Sequence, residues 1–333
     1  MGHSQRTRRG FRRIAGVVAA MSTMTLLAGA CGASSSGEPT DSVTIAYQPG
    51  LGYAPLLIAK QEKWIEQKVP NVEITWQELD SGSAIRDGVI AGDIHVAAGG
   101  TGPFLVGYDG GVGWKVLMAL DNMKLMLMAK DPAITSLKDV EGQGQIAMPA
   151  PDSIQSVVLR KGAAEQLGDP KSLDSQIVAL GHPDGLQALL AGQLDAHLTS
   201  PPFQGQEAEA GAHPILDSYD MFGEHTFNSL YATTEFVEAN PDFVDALTTS
   251  TSRGIKMLNE NPEQAAKILS EESGGEESPS DLVAQATADD VEFTAKPQGF
   301  GKFAEFMAEI GMIKETPDTE ELFFDNQHTQ GGS

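Results

Sequence analysis

Two loops carry the residue types that could do chemistry. Asp80-Ser81-Gly82-Ser83 follows Val72, Ile74 and Trp76, which alternate with polar residues as in a half-buried strand. Gly99-Gly100-Thr101-Gly102-Pro103 follows the short apolar run Ile94 to Ala98. Each loop then opens a helix-like pattern. Asp, Ser and Gly accept from or free the first orphan N–H groups of a helix, and Pro103 suits a first turn. Helix N-termini at strand C-terminal ends are where open α/β sheets bind ligands, and their N–H groups favour anions. The chemistry this offers is non-covalent recognition. The same stretch also serves as an ordinary βαβαβ unit with no ligand at all.

Covalent and metal chemistry find less support. His95, His182, His197, His213 and His225 are scattered, with no i, i+4 pair and no acidic partner at metal spacing. No G-x-S-x-G nucleophile turn occurs. Gly110 to Lys115 lacks the Gly-Lys-Ser/Thr of a phosphate loop and reads as a turn. The chain is therefore read as a non-enzyme without metal or cofactor. A secreted hydrolase using a carboxylate dyad is the enzymatic alternative, because acids are abundant though unlocalised.

The elements around the two loops repeat one logic. Ser42 to Tyr47 reads as a strand ending in Gln48-Pro49-Gly50-Leu51-Gly52-Tyr53, a third glycine-rich exit, and a single helix follows from Pro55 to Lys68. Val116 to Leu120, Leu125 to Ala129, Gln145 to Met148, Ile177 to Leu180 and Leu194 to Leu198 read as further strands. Pro149 to Ser153 caps a long helix, and Thr199-Ser200-Pro201-Pro202-Phe203 follows the last of these strands. From Asn240 the pattern is helical, with Asn240-Pro241, Asn261-Pro262 and Ser278-Pro279 as starts. Gln327 to Ser333 reads as a frayed end.

The N-terminus reads as an export signal over residues 1–30. Arg6, Arg8, Arg9, Arg12 and Arg13 precede an apolar run, Ile14 to Leu27, too short for an ordinary membrane span. Thr7-Arg8-Arg9-Gly10-Phe11 is similar to the twin-arginine pattern, and Leu26-Leu27-Ala28-Gly29-Ala30-Cys31 to a bacterial lipobox with Cys31 as the acylated, palmitate-bearing residue. Cys31 is the only cysteine, which excludes an internal disulfide. Residues 31–41 are small and polar and form a tether. The net charge of −24 disfavours nucleic acid and adhesion to anionic lipid, leaving the lipid anchor as the only contact with a membrane.

The ordered segments together resemble a known family. Ala46-Tyr47-Gln48, Ala54 to Lys60, Asp80 to Ile85, Ala91-Gly92-Asp93-Ile94, Gly102-Pro103, Ile134 to Gly142, Ala188 to Ala196 and Asn240-Pro241 follow one another as in substrate-binding proteins of ABC importers, in the nitrate, sulfonate, taurine and thiamine-precursor branch. The resemblance implies an α/β, two-lobed periplasmic-binding-protein fold of type II, with the ligand cleft between lobes. Lobe I would be 42–120 and 232–333, lobe II 121–231, with crossing strands near Lys124 to Ala129 and Phe227 to Thr233. It implies an extracytoplasmic, lipid-anchored monomer on the outer face of the cytoplasmic membrane. Its partners would be a small-molecule ligand and the ABC permease and ATPase subunits. A lipid-anchored ligand sensor is the alternative. Carried over, the family's ligand contacts fall at Gln48, Ser81, Thr101, Ser153, Ser200 with Pro201, and Asn228. The tryptophan that taurine and sulfonate members tend to have near Ser200 is absent.

Loops 47–55, 80–84, 99–103, 150–155 and 199–204 hold no Lys, Arg or His. An anion there would rest on N–H groups, helix dipoles and hydroxyls. Asp80 and Asp152 adjoin those hydroxyls and would repel a bare anion unless they turn inward as caps. The expected ligand is therefore a small polar organic solute, sulfonate-like, carboxylate-bearing or zwitterionic. A heteroaromatic vitamin precursor stacked on Tyr47, Tyr53, Phe104 or Phe203 is the alternative.

Overall fold

Alternating burial along the first strand starts a sheet whose gaps are filled by residues far ahead in the chain. The computed structural model describes residues 39–333 except Glu276. The 1–30 signal, Cys31 and most of the tether lie outside the described residues. β1 (Ser42–Tyr47) buries Val43 and Ile45, and α1 (Ala54–Gln61) and α2 (Trp64–Lys68) follow. The single helix expected here is broken because Lys63 takes a left-handed conformation at φ 55°. β2 (Glu73–Glu78), α3 (Gly82–Ala91), β3 (Val96–Gly100), α4 (Thr101–Asp109) and β4 (Trp114–Ala119) complete the first half.

β3 begins and ends two residues later than the apolar run suggested, so Gly99 and Gly100 are strand and not loop. The reason is close packing. A Cβ on Gly99 would lie 2.6 Å from Tyr231 Oη, and one on Gly100 3.2 Å from Ile154 Cγ2. Trp114 presses its ring onto Gly107 of α4 and its Nε1 donates to Phe104 O at 3.2 Å.

The chain then crosses to a second sheet. β5 (Asn122–Met123), β6 (Met126–Ala129), α5 (Leu137–Val140), β7 (Ile146–Met148) and α6 (Ile154–Leu167) come first. β8 (Ile177–Ala179), α7 (His182–Leu190), β9 (Ala196–Thr199), α8 (Phe203–Glu209), β10 (His213–Asp217) and α9 (Ser218–Phe222) follow. β11 (Asn228–Thr233) returns to the first sheet and leads into α10 (Thr234–Ala239), α11 (Pro241–Glu260), α12 (Pro262–Glu272) and α13 (Pro279–Ala286). β12 (Val291–Glu292) pairs with β5, and α14 (Phe300–Glu309) comes last.

The first sheet has the order β2-β1-β3-β11-β4 and the second β10-β6-β9-β7-β8. In each, four strands run the same way and one runs against them, β11 in the first sheet and β6 in the second. Parallel strands need helical crossovers, which cover the faces and leave the strand ends as the open edge. The C-terminal end is not frayed. Phe300 N donates to Ser333 O at 2.7 Å, Asn326 Nδ2 to Leu117 O at 2.9 Å, and Thr329 is buried.

Candidate functional site

The strand exits of the first sheet converge through a chain of side-chain contacts. Gln48, just past β1, donates from Nε2 to Asp80 O at 3.4 Å. Tyr53 Oη donates to Asn228 Oδ1 at 2.9 Å and lies 3.3 Å from Gln48 Oε1. Ser81 caps α3, accepting from Ala84 N at 3.2 Å. Gly82 lies so close to Pro103 that a Cβ would stand 2.6 Å from its Cγ, and 3.6 Å from Gln48 Oε1. Thr101 opens α4 and donates to Thr226 O at 3.4 Å. Gln48, Ser81, Thr101 and Asn228 therefore share one edge, because β1, β2 and β3 end there and the antiparallel β11 begins there.

Ser153, Ser200 and Pro201 stand on the facing wall. Ser153 caps α6, accepting from Ser156 N at 3.2 Å. Ser200 O accepts from Gln204 N in the turn that opens α8. The two walls touch. A Cβ on Gly102 would lie 2.8 Å from Ile154 N and 2.9 Å from the Ser153 carbonyl carbon. Gly50 stands against Phe203 and Pro201 O, and Gly181 against Asp80. Ile154 fills the space between, buried to 1% exposure. The molecule is thus closed over these residues. An open cleft of about 460 Å³ lies beside them, lined by Leu51, Leu57, Pro183, Phe203 and Leu269 among others and by none of the seven residues above.

The two aspartates do not act as caps, since the serines next to them take that role. Asp152 reaches across the gap instead, accepting from Arg86 Nη1 and Ser83 Oγ of α3. Arg86 is a cation that a search of the loops misses. Helical side chains lean toward the N-terminus, so a residue in the second turn reaches the helix start, and this was the available signal. The expected stacking faces are mostly covered, and of the four only Phe203 borders the open cleft. Phe104 stacks on Trp114, Phe203 on His182, and Tyr47 and Tyr53 are buried against one another.

Two further features had no signal in residue spacing. Asp121, fully buried between β4 and β5, adjoins Gly52 and Asn228. Neither carboxyl oxygen makes a well-formed hydrogen bond among the described residues. Burial pushes its pKa well up, with the Asn228 side chain and backbone only partly opposing. Behind the second wall, His197 Nδ1 lies 2.6 Å from Glu207 Oε1, and His182 joins them. Burial lowers His197 to about 3 and raises Glu207 to about 8. Among the described residues no three His, Cys, Asp or Glu side chains are grouped to hold a metal ion, and no helix is long and apolar enough to cross a membrane.

Known proteins share this fold. A protein of Escherichia coli (strain K12) that carries the name aliphatic sulfonates-binding protein is 23% identical over 293 residues, covering 86% of this chain and 85% of that one. The alkanesulfonate-binding protein SsuA from Xanthomonas axonopodis pv. citri, solved bound to MOPS, superposes with a TM-score of 0.67 at 17% identity, covering 85% of this chain and 96% of the other. The periplasmic nitrate-binding protein NrtA from Synechocystis PCC 6803 gives 0.70 at 15% identity, over 86% and 85%. The fold is accordingly that of the two-lobed periplasmic binding proteins. The model of the NMT1-like family matches residues 36–270, and the chain belongs to that family.

Proposed function

We propose that the protein is the extracytoplasmic solute-binding subunit of an ABC importer. It captures a small sulfonate-like or zwitterionic solute between two lobes and hands it to a membrane permease and its ATPase. The observation that carries this reading is the meeting of two helix starts, α4 with Thr101 and α6 with Ser153, across the gap between the sheets. Both starts bring first-turn N–H groups and a hydroxyl-bearing residue to that gap, a means of holding an acid group without a free cation. The naming of the relatives supports the same solute class. The lobes we assign are 42–120 with 232–333, and 121–231, with the crossing strand β11 carrying Asn228 into the first sheet. Opening them frees Gln48, Ser81, Thr101, Ser153, Ser200, Pro201 and Asn228 to contact a solute, and closing them buries it.

The test is calorimetric titration with ethanesulfonate and MOPS. Thr101→Ala and Ser153→Ala are each expected to weaken binding about 10- to 150-fold, the value of one hydrogen bond to a charged group. Unchanged affinity in both would remove these residues from the site. The anchor is tested separately. Cys31→Ser is expected to move the protein from the membrane fraction to the soluble extracytoplasmic fraction, and retention on the membrane would refute acylation there.

A further inference from the structure

Four buried polar side chains stand in a line behind the second wall of the site. Glu207 of α8 is 2.6 Å from His197 Nδ1 of β9, and His197 Nε2 is 3.3 Å from His182 Nδ1 of α7. His182 Nε2 is 3.1 Å from the Gln155 amide, two residues past Ser153 in the first turn of α6. Thr199 Oγ1 also lies 3.3 Å from His182 Nδ1. Glu207 Oε2 has no partner among the described residues. The end of the Gln155 amide turned away from His182 makes no hydrogen bond among them either.

Donor and acceptor roles along such a line cannot be chosen one by one. A neutral imidazole has one N–H and one acceptor nitrogen. If Glu207 is ionised it accepts from His197 Nδ1–H. His197 Nε2 must then accept from His182 Nδ1–H, and His182 Nε2 from the Gln155 NH2. The Gln155 oxygen is left facing away. If Glu207 is protonated, every role reverses. Its O–H donates to His197 Nδ1, His197 Nε2–H donates to His182 Nδ1, and His182 Nε2–H needs an acceptor. The Gln155 amide must turn its oxygen to the ring and its NH2 outward. The two amide ends are nearly the same size, so the turn changes polarity and not packing.

We infer that Glu207, His197 and His182 form a proton relay that sets whether Gln155 offers a donor or an acceptor to the solute, an inference that rests on the binding reading above. The step balances. On ionisation Glu207 passes its proton to His197 Nδ1, His197 passes its Nε2 proton to His182 Nδ1, and His182 Nε2 releases one proton to water. Burial favours the protonated form, so near neutral pH Gln155 presents its NH2, which suits an anion. Raising the pH turns the oxygen outward and weakens anion binding. Other charges do not compete for this step. Asp152 is paired with Arg86, Arg160 with Asp174 and Lys161 with Glu165, while Asp184 and Glu209 are exposed. The strands β6 and β7 beside His197 carry no titratable side chain.

The test is nitrogen-15 NMR of the histidine tautomers and the Gln155 side-chain NH2 in the wild-type protein, between about pH 6 and pH 10. Both rings are expected to exchange tautomers in one step, with the Gln155 resonances moving in the same step. Ethanesulfonate affinity should fall about tenfold through that step. In Glu207→Gln the amide N–H donates permanently to His197, and the affinity should be flat with pH. Rings that titrate independently or not at all overturn the relay, as does a Glu207→Gln variant with wild-type pH dependence. If that variant does not fold, the wild-type tautomer titration decides. Failure of ethanesulfonate and MOPS to bind at every pH sinks the solute reading, and the tautomer step then judges the relay alone.

Discussion

Gly102→Ala is expected to hold the two lobes apart and to weaken solute binding about 10- to 100-fold, with each sheet still folded. The added methyl would stand 2.8 Å from Ile154 N, 2.9 Å from the Ser153 carbonyl carbon and 3.0 Å from Asp152 O. All three are backbone atoms of one helix start, which cannot turn aside as a side-chain tip can. Overpacking of this kind costs about 1–3 kcal/mol, which must come out of the closed state alone. Alanine is otherwise at home at a helical position, so far-ultraviolet circular dichroism should be unchanged. Small-angle scattering should report a larger radius of gyration than wild type in the presence of ethanesulfonate. A variant that binds and compacts normally would mean that α4 and α6 are not the closing surfaces.

Asp121→Asn is expected to stabilise the fold, on the order of 2–4 kcal/mol at neutral pH. The carboxyl is fully buried without a well-formed hydrogen bond, and burial raises its pKa in the folded state. Below the unfolded value of about 4 both states hold the proton and the group costs nothing through ionisation. As pH rises past that value the unfolded chain releases its proton while the folded chain keeps it. Stability therefore falls with pH until the raised folded pKa is passed. The gap between the variant and wild type should open from about pH 4 upward, at up to about 1.4 kcal/mol per unit. Denaturant titrations at acid and neutral pH measure it, and a gap that does not change with pH would show that the carboxyl finds a partner in solution.

How much of this could be read in the sequence follows from the range of each interaction. Ser81 and Ser153 were legible as helix caps because a cap bonds within three residues. Asn240-Pro241, Asn261-Pro262 and Ser278-Pro279 announced α11, α12 and α13 for the same reason. Strands with helix starts at their exits followed from hydrophobic periodicity, while the division into two lobes came from the family resemblance. The break at Lys63 was not legible, since one left-handed residue leaves the pattern on either side intact. Gly99 and Gly100 looked like loop because glycine is ambiguous until its neighbours are known, and Tyr231 and Ile154 come from far along the chain. Asp152 looked like a competitor for an anion, and only the folded molecule brings Arg86 to it. The line from Glu207 to Gln155 spans four separate elements whose sequence spacing follows no period.

The position of β11 has a consequence for the order in which the molecule can form. This strand is the fourth of the first sheet to be counted from β2, and it bonds β3 on one side and β4 on the other. Until Asn228 to Thr233 has emerged, β3 and β4 have no partner at that seam, however early they were made. The second sheet has no such debt. Its five strands lie within Met126 to Asp217 in one unbroken run. A chain that emerges from its N-terminus therefore completes its middle before its beginning. The first lobe stays open until the last third of the sequence arrives to close it, and the final clasp is Ser333 on Phe300.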